Sequence, residues 1–268
     1  MSEVVAVFQA QAPNEIASAV VMDSEVTVSD NATARVDSES AHVSTPEGTV
    51  SLGVTASTDS VLSEPILMED GSALVAIVIN EPVADTAFRM PLELPDAAAA
   101  TLEDDGSVLI MNPEGEFIAG IARPWARDVN GSDVPTSFEL DGDTLIQHVD
   151  LTSVPVDAYP VVADPWAGRD LVAAAWVTTQ GGSKYVINAV PTSWGEFYRG
   201  IATLESHLAD LKADLGTNKS KVTSTIINQF YCHVAYGWLG GGATYNMESW
   251  RKDVLWSVQG NPITKCNP

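Results

Sequence analysis

Residues 103–149, EDDGSVLIMNPEGEFIAGIARPWARDVNGSDVPTSFELDGDTLIQHV, alternate short apolar runs with Asp-Gly, Asn-Gly and Pro-Glu-Gly turns. Glycine adopts the positive φ that tight hairpin turns need, and Asp and Asn side chains support such turns by local hydrogen bonds. The runs between the turns, VLIMN, FIAGIA, TSFEL and TLIQHV, have the length of strands. The stretch therefore predicts a meander of antiparallel hairpins.

The sequence before this stretch extends the same prediction. Between residues 20 and 60, Val and Leu recur at every second position among Ser, Thr and Asp, which is typical of half-buried strands. ALVAIVIN (73–80) is a continuous apolar run up to Asn80 and predicts a strand buried on both faces. FRMPLELP (88–95) predicts an edge strand, because proline cannot donate a ladder hydrogen bond. We predict an N-terminal arm at residues 1–19 and a mainly β domain, an antiparallel sandwich or meander, at residues 20–165.

The distribution of charge marks a second region. Residues 1–168 carry 4 basic and 29 acidic side chains, whereas residues 169–268 carry 9 basic and 7 acidic ones. So abrupt a change predicts a domain boundary near residue 166. The acidic part repels nucleic acid and anionic lipid, which excludes nucleic acid as its partner. Two readings stay open, a solvated acidic surface or an acidic domain that masks its neighbour.

Residues 166–268 predict a small α+β domain. Two strands are expected around Gly181-Gly182, followed by a helix that starts at Ser193 with Glu196 at the capping-box position. Apolar residues at 4-3-4-3-4 spacing extend this helix to Leu215, and Gly216 suits its C-terminus. A second helix is expected at about residues 220–236.

The chain has two cysteines, Cys232 and Cys266, and Cys232 directly precedes His233. Adjacent residues on a helix point about 100° apart, so the thiol and the imidazole would not face each other. A zinc site would need four suitably spaced ligands, and we expect no metal site. A Cys232–Cys266 disulfide is the favoured interpretation. Free buried thiols and a reactive cysteine are the alternatives.

His233 is the candidate catalytic residue. A carboxylate beside a histidine could perform general acid–base chemistry, and Glu248, Arg251 and Glu196 are its candidate partners. Against this, a single histidine among aromatic residues is more often a packed residue. The sequence lacks the G-x-S-x-G, H-E-x-x-H, P-loop and dinucleotide motifs, and we expect no cofactor.

Five of the seven tryptophans lie beyond residue 170. Most are expected in the core, because an indole buries a large apolar area. A surface subset would suit binding of a glycan, a lipid headgroup or a protein. Trp194, Trp238 and Trp250 are the candidate binding residues.

No stretch is apolar for the ~18 residues of a membrane-spanning helix, so we expect no transmembrane segment. The first residues, MSEVVAVFQAQAPNE, lack the basic and apolar parts of a signal peptide. The chain is thus either cytoplasmic or the mature form of a secreted protein with a replacement Met1. The composition favours the secreted form.

Two groups of motifs resemble parts of secreted actinobacterial proteins. PWARDVNGSDVPTSFELDGDTLIQHV (124–149) and AYPVVADPW (158–166) resemble a segment that precedes various C-terminal domains in such proteins. VPTSWG (190–195), INQFYCH (227–233), NMESWRKDV (246–254) and the terminal CNP resemble an actinobacterial C-terminal domain of unknown function. The resemblance implies secretion and thereby supports the disulfide.

Three functional hypotheses follow. The first is a secreted antibacterial or cell-envelope-directed effector, similar to a bacteriocin, whose acidic β domain serves export, masking or attachment. The second is a non-enzymatic protein that binds the cell envelope or its glycans. The third is a secreted hydrolase with an acidic prodomain. The expected partner is the bacterial cell envelope or a receptor protein on a target cell, and whether the protein is an enzyme stays open.

Overall fold

The computed structural model of the protein describes residues 2–13, 19–20, 25–29, 32–237, 243–260, 263 and 266–268. From residue 32 onward the chain forms two compact units, and the boundary between them lies between Arg169 and Asp170. Each unit has an apolar core of its own. The predicted domain limits stay a prediction, because compactness alone does not establish independent folding.

Antiparallel strands dominate the N-terminal unit. Its described elements are α1 (Glu3–Gln11), β1 (Glu25–Ser29), β2 (Ala32–Val36), β3 (Ser40–Thr45), β4 (Gly48–Gly53), β5 (Val61–Leu67), β6 (Ala73–Ile79), β7 (Ala87–Glu93), β8 (Ala99–Leu102), β9 (Val108–Met111), β10 (Phe117–Ile121), β11 (Ala126–Arg127), β12 (Thr136–Asp141), β13 (Thr144–Val149), a 3₁₀ turn (Val156–Ala158), β14 (Val161–Ala163) and β15 (Trp166–Gly168). One sheet has the order β1-β2-β3-β4-β7-β13-β12. The second has the order β11-β14-β6-β15-β10-β9-β8, with β5 also paired to β6.

Two of the hairpins predicted between residues 103 and 149 are confirmed, whereas the DVNGSD turn (128–133) connects β11 and β12, which belong to different sheets. β9 pairs with β10, and β12 pairs with β13 from Thr136↔Val149 to Asp141↔Thr144. Only Gly142 and Asp143 separate the last pair, and Gly142 has a φ of +55°. A side chain at this position would be strained, so the glycine specifies the turn.

The two sheets enclose one apolar core. Alternate residues of each strand point into it, as in β3 and β4, where Ala41, Val43, Val50 and Leu52 are core residues. The residues between them face away from the core, because successive side chains of a strand point to opposite faces. The predicted mainly β fold with antiparallel sheets is therefore confirmed.

Strand β6 is buried on both faces, as its apolar sequence predicts. Val75, Ile77 and Ile79 belong to the core between the sheets. Leu74, Ala76 and Val78 form a second core together with the apolar residues of α1. The helix thus covers the side of β6 that would otherwise be exposed.

The prediction of an edge strand at residues 88–95 is wrong. β7 lies inside its sheet, between β4 and β13. Pro91 is tolerated there because the pairing of β7 with β4 ends at Leu52↔Leu92, so no ladder bond on that side needs its missing N–H. Its ring lies against Gly53, where a Cβ atom would be 3.0 Å from the Pro91 Cδ. Because Gly53 has no side chain, the Pro91 ring fits between the strands, and the proline does not prevent β7 from lying inside the sheet.

The C-terminal unit combines a three-stranded sheet with short helices, and this confirms the predicted small α+β fold. Its described elements are β16 (Val172–Gly181), β17 (Lys184–Pro191), α2 (Ser193–Phe197), a 3₁₀ turn (Ile201–Thr203), α3 (Leu204–Leu215), a 3₁₀ segment (Gly216–Lys221), α4 (Ser224–Tyr236), β18 (Tyr245–Glu248) and α5 (Trp256–Gln259). The sheet is antiparallel with the order β16-β17-β18. Its inner face packs on α3 and α4 through residues such as Ile187, Leu211 and Phe230.

The single helix predicted from Ser193 to Leu215 is wrong, because the chain forms two helices, α2 and α3. Thr192, not Ser193, is the N-cap of α2, and its Oγ1 accepts a hydrogen bond from the Gly195 amide at 2.9 Å. The Thr203 hydroxyl donates to the Tyr198 carbonyl, which ties the residues between the helices into a turn. Tertiary contacts therefore override a favourable apolar spacing.

Candidate functional site

The predicted disulfide is confirmed. Cys232 on α4 is joined to Cys266 near the C-terminus, with Cα atoms 5.4 Å apart. Both residues are buried, and no free cysteine exists among the described residues. The bond holds the last residues of the chain beside α4, next to His233.

His233 is packed inside the C-terminal unit. Only 6% of the residue is exposed, and its ring stacks on Tyr245 with centroids 5.3 Å apart and planes 9° apart. Burial lowers the pKa of His233 to about 4, although contacts with Asn246 and Asn267 oppose this shift. The imidazole is therefore neutral at physiological pH, and its Nε2 atom is closed off from solvent.

The candidate carboxylates do not contact His233 in the part of the chain that the structure describes. Glu248 pairs with Arg251, so these two predicted residues do lie together. Glu196 forms an ion pair with Arg199 at 3.6 Å. Burial raises the pKa of Tyr245, and the nearby charges of Arg199 and Glu196 also act on it. Among the described residues, Tyr245 is the link between Glu196 and His233, and an acid–base role for His233 stays a hypothesis.

We expect the His233→Gln substitution to change how stability depends on pH. The folded protein favours the neutral ring, so the stability due to its burial is complete above pH 6.5 and is lost as the pH falls toward 4. The loss in the wild-type protein amounts to about 3 kcal/mol. The variant should therefore lose less free energy of unfolding than the wild type between pH 6.5 and 4, measured by urea titration. Equal losses in both proteins would contradict the prediction.

Asp214 provides the control for this measurement. Burial, together with the charge of Asp210, raises the pKa of Asp214 to about 6. The folded protein favours the protonated Asp214 carboxyl, so this group adds to the free energy of unfolding as the pH falls from 6 toward 3.8. Asp214→Asn should therefore make the protein more sensitive to acid, the opposite of His233→Gln.

The candidate binding tryptophans lie in different environments. Trp194 is 2% exposed and stacks on Tyr198 at 5.9 Å, so it is an interior residue. Trp250 is 38% exposed, with the Lys184 Nζ atom 5.7 Å from its ring centroid. Trp238 lies outside the described residues. Of the three, Trp250 is the one that the structure places on a surface.

Trp176 is an exposed tryptophan that was not among the binding residues predicted from the sequence. It lies on β16 and is 46% exposed. Its neighbours Ala175 and Val177 pack against the core, so the residue between them points to the opposite face. The alternation of inward and outward positions in AAAWVTTQ (173–180) indicates that Trp176 faces outward. The small and polar residues before and after it make this pattern weak.

The outer face of the three-stranded sheet presents Trp176 beside a row of amide side chains. Trp176 pairs with Asn188 on β17, and Asn188 pairs with Asn246 on β18. The Asn188 amide nitrogen donates to Thr178 Oγ1 at 3.0 Å, and the Asn246 amide nitrogen donates to Asn188 Oδ1 at 3.1 Å. We call Trp176, Thr178, Asn188 and Asn246 the tryptophan–amide face.

None of the four side chains of the tryptophan–amide face is charged, but the same face of the sheet also carries Glu248, two residues from Asn246 on β18. The amide row is partly exposed, so the amide groups retain hydrogen-bonding capacity toward a ligand. Lys184 and Trp250 lie at its end, about 13 Å from Asn188 along β17. An exposed indole beside amide groups can bind a neutral polar ligand.

Two further observations concern cofactors and membranes. Within the described ranges no three His, Cys, Asp or Glu side chains converge in a way that could hold a metal ion. No helix in the same ranges has both the length and the apolar composition to cross a bilayer.

Residues 171–268 match the model of a family described as Protein of unknown function (DUF2599). The match begins one residue after the start of the C-terminal unit and reaches the end of the chain. It supports the predicted C-terminal domain of unknown function. No curated protein and no solved structure matches the chain.

Proposed function

We propose that the protein is secreted and directed to the bacterial cell envelope, and that its C-terminal unit binds neutral glycan without chemically altering it. The tryptophan–amide face is the observation that carries this proposal. An exposed indole offers a flat apolar surface on which a sugar ring can stack. The adjacent amide groups can donate to and accept from sugar hydroxyls.

The charge of the protein favours a neutral glycan over a lipid surface or nucleic acid. The C-terminal unit is nearly neutral, with 9 basic and 7 acidic side chains in residues 169–268, and the tryptophan–amide face itself has no lysine or arginine. Anionic lipids and nucleic acids are bound through clusters of basic residues. A neutral polysaccharide requires no such cluster and suits both the indole and the amides.

The disulfide supports the extracellular part of the proposal. Disulfides persist in oxidising compartments and are rare in the cytosol of most organisms. The Cys232–Cys266 bond joins two buried residues and leaves no free cysteine in the described residues. Our proposal includes secretion and a relationship to actinobacterial proteins, which the sequence motifs imply.

We expect Trp176→Ala to weaken the retention of the full-length protein on insoluble cell-wall polysaccharide by about tenfold, which corresponds to about 1.4 kcal/mol. The reason is that the substitution removes the stacking surface and leaves the fold intact. The measurement is a depletion binding curve on purified bacterial sacculi and, separately, on chitin and cellulose.

Leu255→Ala is the matched control, because it also removes an exposed apolar side chain of the C-terminal unit. It should bind like the wild type. Undiminished retention of the Trp176→Ala variant, with unchanged melting temperature, would overturn the glycan-binding proposal. Retention on acidic lipid vesicles and not on any polysaccharide would overturn it as well.

The antibacterial effector remains a second proposal, supported by the same disulfide and by the motifs shared with secreted proteins. A spot assay of the full-length protein on related bacteria tests it separately. Growth inhibition that Trp176→Ala abolishes would mean that envelope binding delivers the toxic activity. Binding without inhibition would leave the glycan-binding function alone.

A further inference from the structure

A hydrogen-bonded chain of Asp37, His42 and Ser51 lies in the N-terminal unit. The His42 Nε2 atom is 2.9 Å from Asp37 Oδ2, and the His42 Nδ1 atom is 2.8 Å from Ser51 Oγ. An acid, a histidine and a serine in this order form the constellation that activates serine nucleophiles. The sequence motifs gave no sign of it, because the three residues belong to separate strands and a turn.

Strand pairing brings these residues together. His42 on β3 lies directly opposite Ser51 on β4, and Asp37 follows β2 at the turn into β3. Both side chains of the pair face away from the core, since their neighbours Ala41, Val43, Val50 and Leu52 point into it. His42 is 8% exposed, while the Asp37 side chain is 47% exposed.

The Asp37 carboxylate is held in its ionised form. Its Oδ1 atom accepts hydrogen bonds from the amides of Glu39 at 3.0 Å and Ser40 at 2.9 Å. Together with the contact to His42, these bonds lower the pKa of Asp37 to about 2. An ionised Asp37 can only accept from His42 Nε2–H, so in the neutral ring Nδ1 carries the lone pair. Ser51 Oγ–H then donates to Nδ1.

We propose that Ser51 is a nucleophile for ester hydrolysis, with His42 as its general base and Asp37 as the positioning residue. The Ser51 oxygen forms a bond to the ester carbonyl carbon while its proton moves to His42 Nδ1. The bond from this carbon to the alcohol oxygen then breaks, and His42 returns the proton to the departing alcohol. Water, activated by the same nitrogen, hydrolyses the acyl-serine and restores Ser51.

The surroundings of Ser51 indicate the class of ester. Ser51 pairs with Glu93 on β7, and the neighbouring pair Ser44 and Thr49 on the same face is joined by a hydrogen bond of 2.9 Å. These side chains are polar, so the site suits a short acyl group, such as acetyl, on a polar alcohol. The carboxylate of Glu93 disfavours an anionic substrate.

The test uses the full-length protein with p-nitrophenyl acetate as substrate and diisopropyl fluorophosphate as covalent label. We expect ester hydrolysis at least about 100-fold faster in the wild type than in Ser51→Ala, the scale of positioned general-base catalysis. Peptide mapping should find the phosphoryl label on Ser51. Ser137→Ala, which removes a serine on β12 opposite His148, separated from β4 by the two strands β7 and β13, should hydrolyse the ester like the wild type.

The positioning role of Asp37 has its own readout. Asp37→Asn should lower the rate and shift the pH–rate profile, because an amide no longer fixes the tautomer of His42 or stabilises its protonated form. Equal hydrolysis by wild type and Ser51→Ala, or a label on other residues only, would overturn the proposal. Even if a variant fails to fold, the labelling of the wild type tests whether Ser51 is the nucleophile. Neither result depends on the glycan-binding proposal, which concerns the C-terminal unit.

Discussion

Replacing both Cys232 and Cys266 by serine will lower the free energy of unfolding of the C-terminal unit by about 4 kcal/mol, the value expected for removing a crosslink across a loop of this length. The crosslink limits the conformations of the unfolded chain, so its loss makes unfolding more favourable. Both cysteines are buried, and the substitution adds a second cost because serine hydroxyls would have to be accommodated in an apolar interior.

Tryptophan fluorescence in a urea titration measures this effect selectively, because five of the seven tryptophans lie beyond residue 170. The wild-type protein treated with dithiothreitol is the matched control, and it should unfold at a slightly higher urea concentration than the double variant, because it lacks the added serine hydroxyls. Dithiothreitol should not change the variant. An unchanged midpoint in the double variant would show that packing alone holds the C-terminal residues in place.

The loss of this disulfide should also affect His233. The bond keeps the C-terminal residues next to α4, and Asn267 contacts the imidazole that burial holds neutral. Solvent reaching the ring would move the pKa of His233 from about 4 back toward its ordinary value. The histidine proton resonance, followed by NMR as a function of pH, reports this change directly.

Gly195→Ala is expected to lower the free energy of unfolding by about 3 kcal/mol, at the upper end of the range for an overpacked interior. A Cβ atom at Gly195 would overlap the carbonyl oxygen of Leu171 and lie 2.9 Å from its carbonyl carbon. The His207 ring, 3.3 Å away, closes the other side. Backbone atoms cannot rotate aside as a flexible side chain could, so α2 would have to move away from Leu171.

Gly200→Ala is the matched control for this prediction. Gly200 lies five residues later and has an ordinary φ of −67°, and no atom lies within 4 Å of the position of its Cβ. This variant should differ from the wild type by less than about 0.5 kcal/mol. Similar losses in both variants would mean that the close contact with Leu171 is not the cause of the loss.

Local signals in the sequence were sufficient for the class of the fold. The period-two alternation and the glycine turns between residues 103 and 149 predicted the hairpins, because the turn at Gly142 depends only on its immediate neighbours. The pair of cysteines predicted the disulfide for a similar reason, since two thiols in an oxidising compartment have one possible partner each. The break between α2 and α3 escaped prediction, because the apolar spacing was favourable on both sides of it.

The candidate sites depend on contacts between residues that are distant in the chain, and the sequence does not show which of these residues meet. Trp176 became a candidate only when the pairing with Asn188 placed it beside a row of amides. Among the residues selected from the sequence, Trp194 proved to be interior, and His233 proved to be stacked on Tyr245 without contact to Glu196 or Glu248 in the described residues. Residue type identified which side chains could bind or react, but not which of them meet.

The sequence by itself determined the strands, their turns, the change in charge and the crosslink, because each of these depends on near neighbours or on composition. Tertiary structure alone decided that Pro91 lies inside a sheet, that His42 faces Ser51, and that the third group, Asp37, completes their hydrogen-bonded chain. The physical reason is register: shifting a strand by one residue turns every side chain to the other face, and register is set by the packing of the whole sheet.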